Sequence, residues 1–188
     1  MNTPIKTLIA LFFTLPLGAL VSEAATLTGP IVNPSNAHTY YLLSQNTWTG
    51  SEAEALTLGG HLATINDAAE NLWVLNTFSL FGGTAKTLWI GLNDSANEGT
   101  FVWSSGESAP YRNWSGSEPS AGSSAEDYVH IYDLQRGTFT GKWNDFANGT
   151  SEFGVPLHGV VEIVPEPSSA FLLISGVAFC LRRRTLRT

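Results

Sequence analysis

Apolar positions along this chain fall into a leading run, a patterned middle and a trailing run. The leading run covers 8–21, behind Lys6, and the trailing run covers 170–181, closed by Arg182-Arg183-Arg184. Between them, Tyr40-Tyr41-Leu42-Leu43 reads as a first strand. Residues 51–58 read as a short helix that stops at Gly59-Gly60, since glycine readily takes the left-handed conformation that ends a helix. Asn66 or Asp67 can cap a second helix carrying Leu72, Leu75 and Phe78 on one face. Short strand-like runs follow at 88–92, 101–104, 128–132, 139–143 and 158–163. Two helices early and several strands late predict an α+β domain, with the helices packed on short antiparallel strands. Between Ser104 and Asp127 lies a Ser/Gly/Pro/Glu-rich stretch with little periodicity. A loop that long inside a compact domain is usually functional.

Composition narrows the picture. The 188 residues are 43% hydrophobic, 11% aromatic and only 13% charged, which suits one domain with a real core and excludes a disordered chain. One cysteine, Cys180, excludes a disulfide framework and a multi-cysteine zinc site. The net charge of −7 is unevenly placed: between Thr26 and Ile163 four bases stand against fourteen acids. So acidic a body argues against binding a nucleic-acid backbone.

The two ends read as addresses. A basic start, an apolar run and the small residues Ser22 and Ala24 mark residues 1–24 as a secretory signal peptide, cleaved after Ala24. At the other end, residues 164–188 carry Val164-Pro165-Glu166-Pro167, then the apolar run, then the arginine cluster. The basic cluster after an apolar segment obeys the positive-inside rule. The run is shorter than the roughly 20 residues of an independent spanning helix, so it suits a transient inner-membrane anchor. In the order of its three parts this tail resembles the PEP-CTERM sorting signal of exported proteins in Gram-negative bacteria. The resemblance implies processing by an exosortase-type enzyme and delivery to the cell envelope or extracellular matrix. Residues 25–163 remain as one domain.

Within that domain the acids gather at loop positions. Asp94 and Glu98 follow the strand Trp89-Ile90-Gly91-Leu92; Glu118 and the pair Glu126-Asp127 bracket the end of the long loop; Asn144-Asp145 follow Trp143. With no cysteine in the body and no histidine pair at ligand spacing, hard oxygen donors point to Ca²⁺ rather than zinc.

The set of motifs resembles the C-type lectin domain, from about Tyr40 to Ile163. Gly59-Gly60-His61-Leu62-Ala63 is similar to that family's core segment before its second helix, and Trp89-Ile90-Gly91-Leu92 to its Trp-Ile-Gly-Leu strand. Glu118-Pro119-Ser120 occupies the place of its Glu-Pro-Asn sugar motif, Glu126-Asp127 that of its acidic pair, and Trp143-Asn144-Asp145 that of its Trp-Asn-Asp motif. The resemblance implies that Glu118, Ser120, Glu126, Asn144 and Asp145 hold a calcium ion and two vicinal sugar hydroxyls. It implies a cis Glu118–Pro119 bond. It also places Asp94, Glu98 and Asp127, with Glu126 nearby, at an auxiliary calcium site that orders the long loop.

Two departures stand out. Ser120 replaces the family's Asn or Asp; a hydroxyl is shorter, a poorer calcium ligand, and lacks the amide's second donor. The mannose-versus-galactose distinction is therefore not readable. Ala55, Tyr128, Ala147 and Val161 stand at the family's disulfide positions, and each absent bridge removes about 2–4 kcal/mol. Trp48, Trp73, Trp89 and Trp103 are expected in a compensating core, and Trp114 is a candidate stacking face for a sugar. His130 and His158 are expected to be structural. The function expected is an exported calcium-dependent carbohydrate-binding protein, not an enzyme. The alternative is a non-sugar-binding lectin-fold module for protein–protein adhesion. A glycoside hydrolase using Glu118 and Glu126 is a remote third reading.

Overall fold

The computed structural model describes residues 25–120 and 126–165. The expected signal peptide, loop residues 121–125 and the sorting tail from Glu166 onward, Cys180 included, lie outside the described residues. In chain order the elements are β1 (Thr26–Val32), β2 (Thr39–Gln45), α1 (Trp48–Thr57), β3 (His61–Leu62), α2 (Ala68–Phe78), β4 (Thr87–Asn93), β5 (Val102–Trp103), β6 (Tyr128–Ile131), β7 (Trp143–Phe146), β8 (Ser151–Glu152) and β9 (Val155–Ile163).

Both helices are bounded by side chains and glycine. The Thr47 hydroxyl accepts from Gly50 N at 3.1 Å to start α1, and Asp67 accepts from Glu70 N at 2.8 Å to start α2. At the end of α1, Gly59 sits at φ 84°, and Gly59 N and Gly60 N bond back to Leu56 O and Ala55 O. This is the paired-bond stop expected of a left-handed glycine.

The sheet runs β1-β2-β9-β4-β6-β7, with β3, β5 and β8 attached to its sides. Its neighbours are antiparallel except β4 and β9, which are parallel through Thr87↔Leu157 and Trp89↔Gly159. The expected antiparallel arrangement is corrected there. Alternation along β4 separates two cores. Leu88, Ile90 and Leu92 join Tyr40, Val74, Phe78, Ile131 and Trp143 on one side, whereas Trp89 meets Trp48, Leu62 and Leu157 on the other. A third cluster closes α1 on the sheet through Leu43, Ala55 and Val161.

Three local expectations change. The buried residues of α2 are Glu70, Asn71, Val74, Leu75 and Phe78, while Leu72 is 55% exposed. Asn71 takes an inward place because its amide donates to Gly141 O at 3.0 Å and accepts from the Trp143 indole at 2.7 Å. The strand expected at 139–143 is instead a 3₁₀ turn (Gly137–Phe139) and a left-handed Gly141, so β7 begins only at Trp143. Trp114 is not an open stacking face: it packs edge-on against Phe101 and Trp143, with ring centroids 5.0 and 5.9 Å away.

Gly91 shows why the Trp-Ile-Gly-Leu strand needs its glycine. It accepts from Ser104 N and donates to Ala63 O, and a Cβ there would lie 2.4 Å from Leu62 O. Gly91→Ala is expected to destabilise the fold by about 1–3 kcal/mol, measured by urea denaturation.

Where β2, β9 and the start of α2 meet, the Tyr40 hydroxyl touches Glu70 and lies 2.8 Å from Glu162 Oε1. The phenolic proton has two carboxylates to choose from, and His38 Nδ1, 2.5 Å from Glu162 Oε1, and Asn36 Nδ2, 3.0 Å from Glu70 Oε1, are further partners of the group. Burial pushes the Glu162 carboxyl above its usual 4.5, with the Glu70 charge adding; bonds from His38, Tyr40 and Thr64 pull it back. The folded state therefore binds more protons than the unfolded one as pH rises from about 4.5, and stability falls through that window. Glu162→Gln is expected to flatten the fall, so that the variant gains on wild type as pH rises in chemical-denaturation series.

Candidate functional site

The end of the long loop is tied to the outer edge of β7. Trp143 N donates to Asn113 O and Ser115 N donates to Trp143 O, each at 2.9 Å, and Glu118 N then turns back to Ser115 O at 2.7 Å. These bonds bring Glu118-Pro119-Ser120 beside Asp145, and the Glu118–Pro119 bond is cis, as expected. Ser120 N donates to Asp145 Oδ1 at 3.2 Å, and Ser120 Oγ donates to Glu126 Oε2 at 2.9 Å. Ser120 thus stands between two of the expected carboxylates.

The electrostatics match this crowding. Asp145 is buried, and its carboxyl is pushed up to about 6: burial is the main cause, Glu118 and Glu126 add to it, and two backbone bonds oppose it. Glu118 Oε2 is buried without a hydrogen-bond partner. Asn144 departs from the group. The register Val129↔Asp145 and His130↔Asn144 puts the two neighbours on opposite faces of the β6–β7 hairpin. The amide nitrogen of Asn144 faces Glu152 Oε1 at 3.4 Å.

The expected auxiliary set lies close by. Asp94 N donates to Asp127 O at 3.1 Å, and Asp94 Oδ2 accepts from Gly99 N at 2.7 Å. Asp94 Oδ1 is buried with no partner. Slight desolvation and then the charges of Asp94, Asp127 and Asp145 raise the Glu98 carboxyl.

No group of three His, Cys, Asp or Glu side chains stands at metal-holding spacing among the described residues. The donor chemistry nonetheless fits a hard cation. All the side chains are oxygen donors except for the nitrogen of the Asn144 amide, and two of their oxygens are buried and unpaired, a costly state that such an ion relieves.

A group that the sequence reading passed over lies behind Asn144. Glu152 Oε2 is 3.2 Å from His130 Nε2 and 3.8 Å from the Arg136 guanidinium, and the Tyr132 hydroxyl is 3.4 Å from Glu152 Oε1. The signal available was a lone acid just before Phe153-Gly154, a short turn between two strands. His130 and His158 are both buried in strands, as expected of structural residues.

Asp145→Asn keeps the acceptor for Ser120 N and removes a buried charge beside two others. In chelator at neutral pH the variant is expected to be more stable than wild type by on the order of 1 kcal/mol, read as a higher midpoint in urea.

The family model described as Lectin C-type domain matches residues 44–152. Lectin BRA-3 of Megabalanus rosa is 34% identical over 113 residues, which is 58% of this chain and 64% of that protein, so the chain spans just under two thirds of that relative. Among solved structures, the C-type lectin CEL-I from Cucumaria echinata is 26% identical with a TM-score of 0.58, covering 68% of this chain and 91% of that one. A calcium-independent type II antifreeze protein shares the fold at 20% identity and a TM-score of 0.58, over 74% of this chain and 96% of that one. Lectin domains of this family are not enzymes, so Glu118 and Glu126 are not a hydrolase's acid and base. A two-helix fold on a mixed sheet, the motifs gathered at the edge of β7 and a family match over more than half of the chain all agree: this chain belongs to the C-type lectin domain family.

Proposed function

We propose that the chain is an exported protein that binds carbohydrate in a calcium-dependent way at the edge of β7. The observation that carries this reading is the convergence of Glu118, Ser120, Glu126 and Asp145 around buried, unpaired carboxylate oxygen. These four residues would hold the ion, and Asn144 would join them by turning its amide away from Glu152. Bound there, calcium supplies a positive centre for a vicinal pair of sugar hydroxyls. The carboxylates accept from those hydroxyls, and charged acceptors make the stronger bonds. Asp94, Glu98 and Asp127 would hold a second ion that fixes the loop.

Export, processing by an exosortase-type enzyme, a transient membrane stage and residence in the envelope or matrix of a Gram-negative cell rest on the order of residues at the two ends. Among the described residues no helix is long and apolar enough to cross a membrane.

One observation favours a second reading, a lectin-fold module that binds protein: the Ser120 hydroxyl already donates to Glu126, so its one proton is not free for a sugar. The two readings separate in one experiment. The purified protein is heated with and without Ca²⁺, then passed over immobilised mannose-, galactose- and N-acetylglucosamine-containing glycans. Calcium at a hundred times its Kd is expected to add about 2.7 kcal/mol of stability, and glycan retention is expected to vanish with chelator and in Asp145→Ala. Stabilisation by calcium with no glycan retained selects the protein-binding module; no response to calcium removes the site assignment.

A further inference from the structure

Two groups have a claim on Asn144. The proposed ion-binding set includes it, yet its side chain lies on the other side of the strand. Pairing across β6 and β7 sets Asn144 opposite His130 and Asp145 opposite Val129, and residues paired in this way share a face of the sheet. Asn144 is therefore on the side of the buried His130, which packs on Trp89 and Phe146, whereas Asp145 is beside Ser120. On its own side, the Asn144 amide nitrogen donates to Glu152 Oε1 at 3.4 Å. Both residues are buried, so water competes poorly for either end of this contact.

Of the two partners, Glu152 is the fixed one. Its Oε2 lies 3.2 Å from His130 Nε2 and 3.8 Å from the Arg136 guanidinium, and Arg136 Nη2 also donates to the Glu152 backbone oxygen at 3.5 Å. Arg136 is itself held by the rings of Tyr132 and Phe153, with centres 5.4 and 4.7 Å away, and by Asp133 at 3.8 Å. The pairing of Glu152 with Val155 sets the backbone. Asn144 makes one side-chain hydrogen bond among the described residues, the one to Glu152. If it leaves, Glu152 Oε1 keeps the Tyr132 hydroxyl at 3.4 Å, so neither carboxylate oxygen loses its last neighbour. Release therefore costs on the order of one weak hydrogen bond, a few-fold in an equilibrium constant.

We propose that Glu152 competes with calcium for the amide of Asn144, and that this competition sets the calcium concentration at which the site fills. Asn144 serves the ion only after leaving Glu152, so the apparent affinity falls as the released fraction falls. A charged acceptor makes Glu152 a true competitor, because its bond to an amide is stronger than a neutral one. The small cost of release keeps the competition balanced, so that the contact tunes calcium binding without blocking it. Glu152 is a positioning residue: it reaches the ion only through Asn144. The inference rests on the calcium-binding reading of the site.

Glu152→Asp tests the competition, because it keeps the charge and draws the carboxylate back from Asn144 by one methylene. Calorimetric titration of the full protein with Ca²⁺ compares wild type, Glu152→Asp, Asn144→Ala and the double variant. Glu152→Asp is expected to tighten calcium binding about three-fold or more, and Asn144→Ala to weaken it. The double variant is expected to match Asn144→Ala, since the gain passes through Asn144 alone. Unchanged or weaker binding in Glu152→Asp, or the same gain with Asn144 removed, overturns the proposal. A second reading needs no variant at position 152: the side-chain amide signal of Asn144, assigned by its loss in Asn144→Ala, is expected to shift as calcium saturates the wild-type protein. A signal that stays in place at saturation overturns the proposal, and decides the matter alone if Glu152→Asp does not fold. If wild type binds calcium and Asn144→Ala binds it equally well, the competition is overturned and the calcium site stands. If wild type binds no calcium, the site reading fails and the competition goes with it.

Discussion

Trp143 is the residue on which the arrangement depends. Its ring is fully buried, and its indole nitrogen donates to Asn71 on α2 at 2.7 Å. Trp103, Tyr111 and Trp114 surround the ring edge-on, at 6.0, 5.5 and 5.9 Å. Its backbone pairs with Ile131 on one side and with Asn113 and Ser115 on the other. One side chain and one peptide unit therefore bind the second helix, the sheet and the long loop together. Asn144 and Asp145 follow directly, and their positions are fixed by it.

Such anchoring matters because the chain concentrates like charge where it is hardest to keep. Asp145 is buried near Glu118 and Glu126, and each carboxylate favours moving the others away. Aromatic packing and backbone bonds oppose that tendency. The same packing stands in for covalent ties. Ala55 and Val161, at two of the positions where the family resemblance implies cysteines, share one closed cluster with Leu43. Tyr128, at a third, stacks on Trp48 at 4.7 Å. Between Ala55 and Val161, apolar contact stands where the resemblance implies a bond.

Much of this was legible in the sequence, and the failures have physical causes. The helix stop at Gly59-Gly60, the cap at Asp67 and strands β2, β4, β6 and β9 followed from turn chemistry and apolar runs. The inner face of α2 was misjudged because Asn71, a polar residue, takes an inward position through bonds to Gly141 and Trp143 that only the fold supplies. Edge strand β1 carries no buried residue, so it left no hydrophobic alternation to read. For the site, the motifs located Glu118, Ser120, Glu126 and Asp145 together. They could not show that Asn144 turns to Glu152, since that contact depends on a hairpin whose strand β8 is two residues long.

The place of β9 in the sheet has a consequence for how the protein is made. This last strand lies between β2 and β4 and also carries β3 and β8, so it joins the earliest hydrogen-bonded layer of the domain to the half bearing the carboxylates. Pairings such as Tyr40↔Glu162 close a chain segment of more than a hundred residues, and long closures come late in folding. Until β9 pairs, the sheet lacks its central member, and its two halves meet only through the shared core and a few bonds such as Gly91 N to Ala63 O. Completion of the sheet therefore waits on the strand most distant in sequence from β1 and β2.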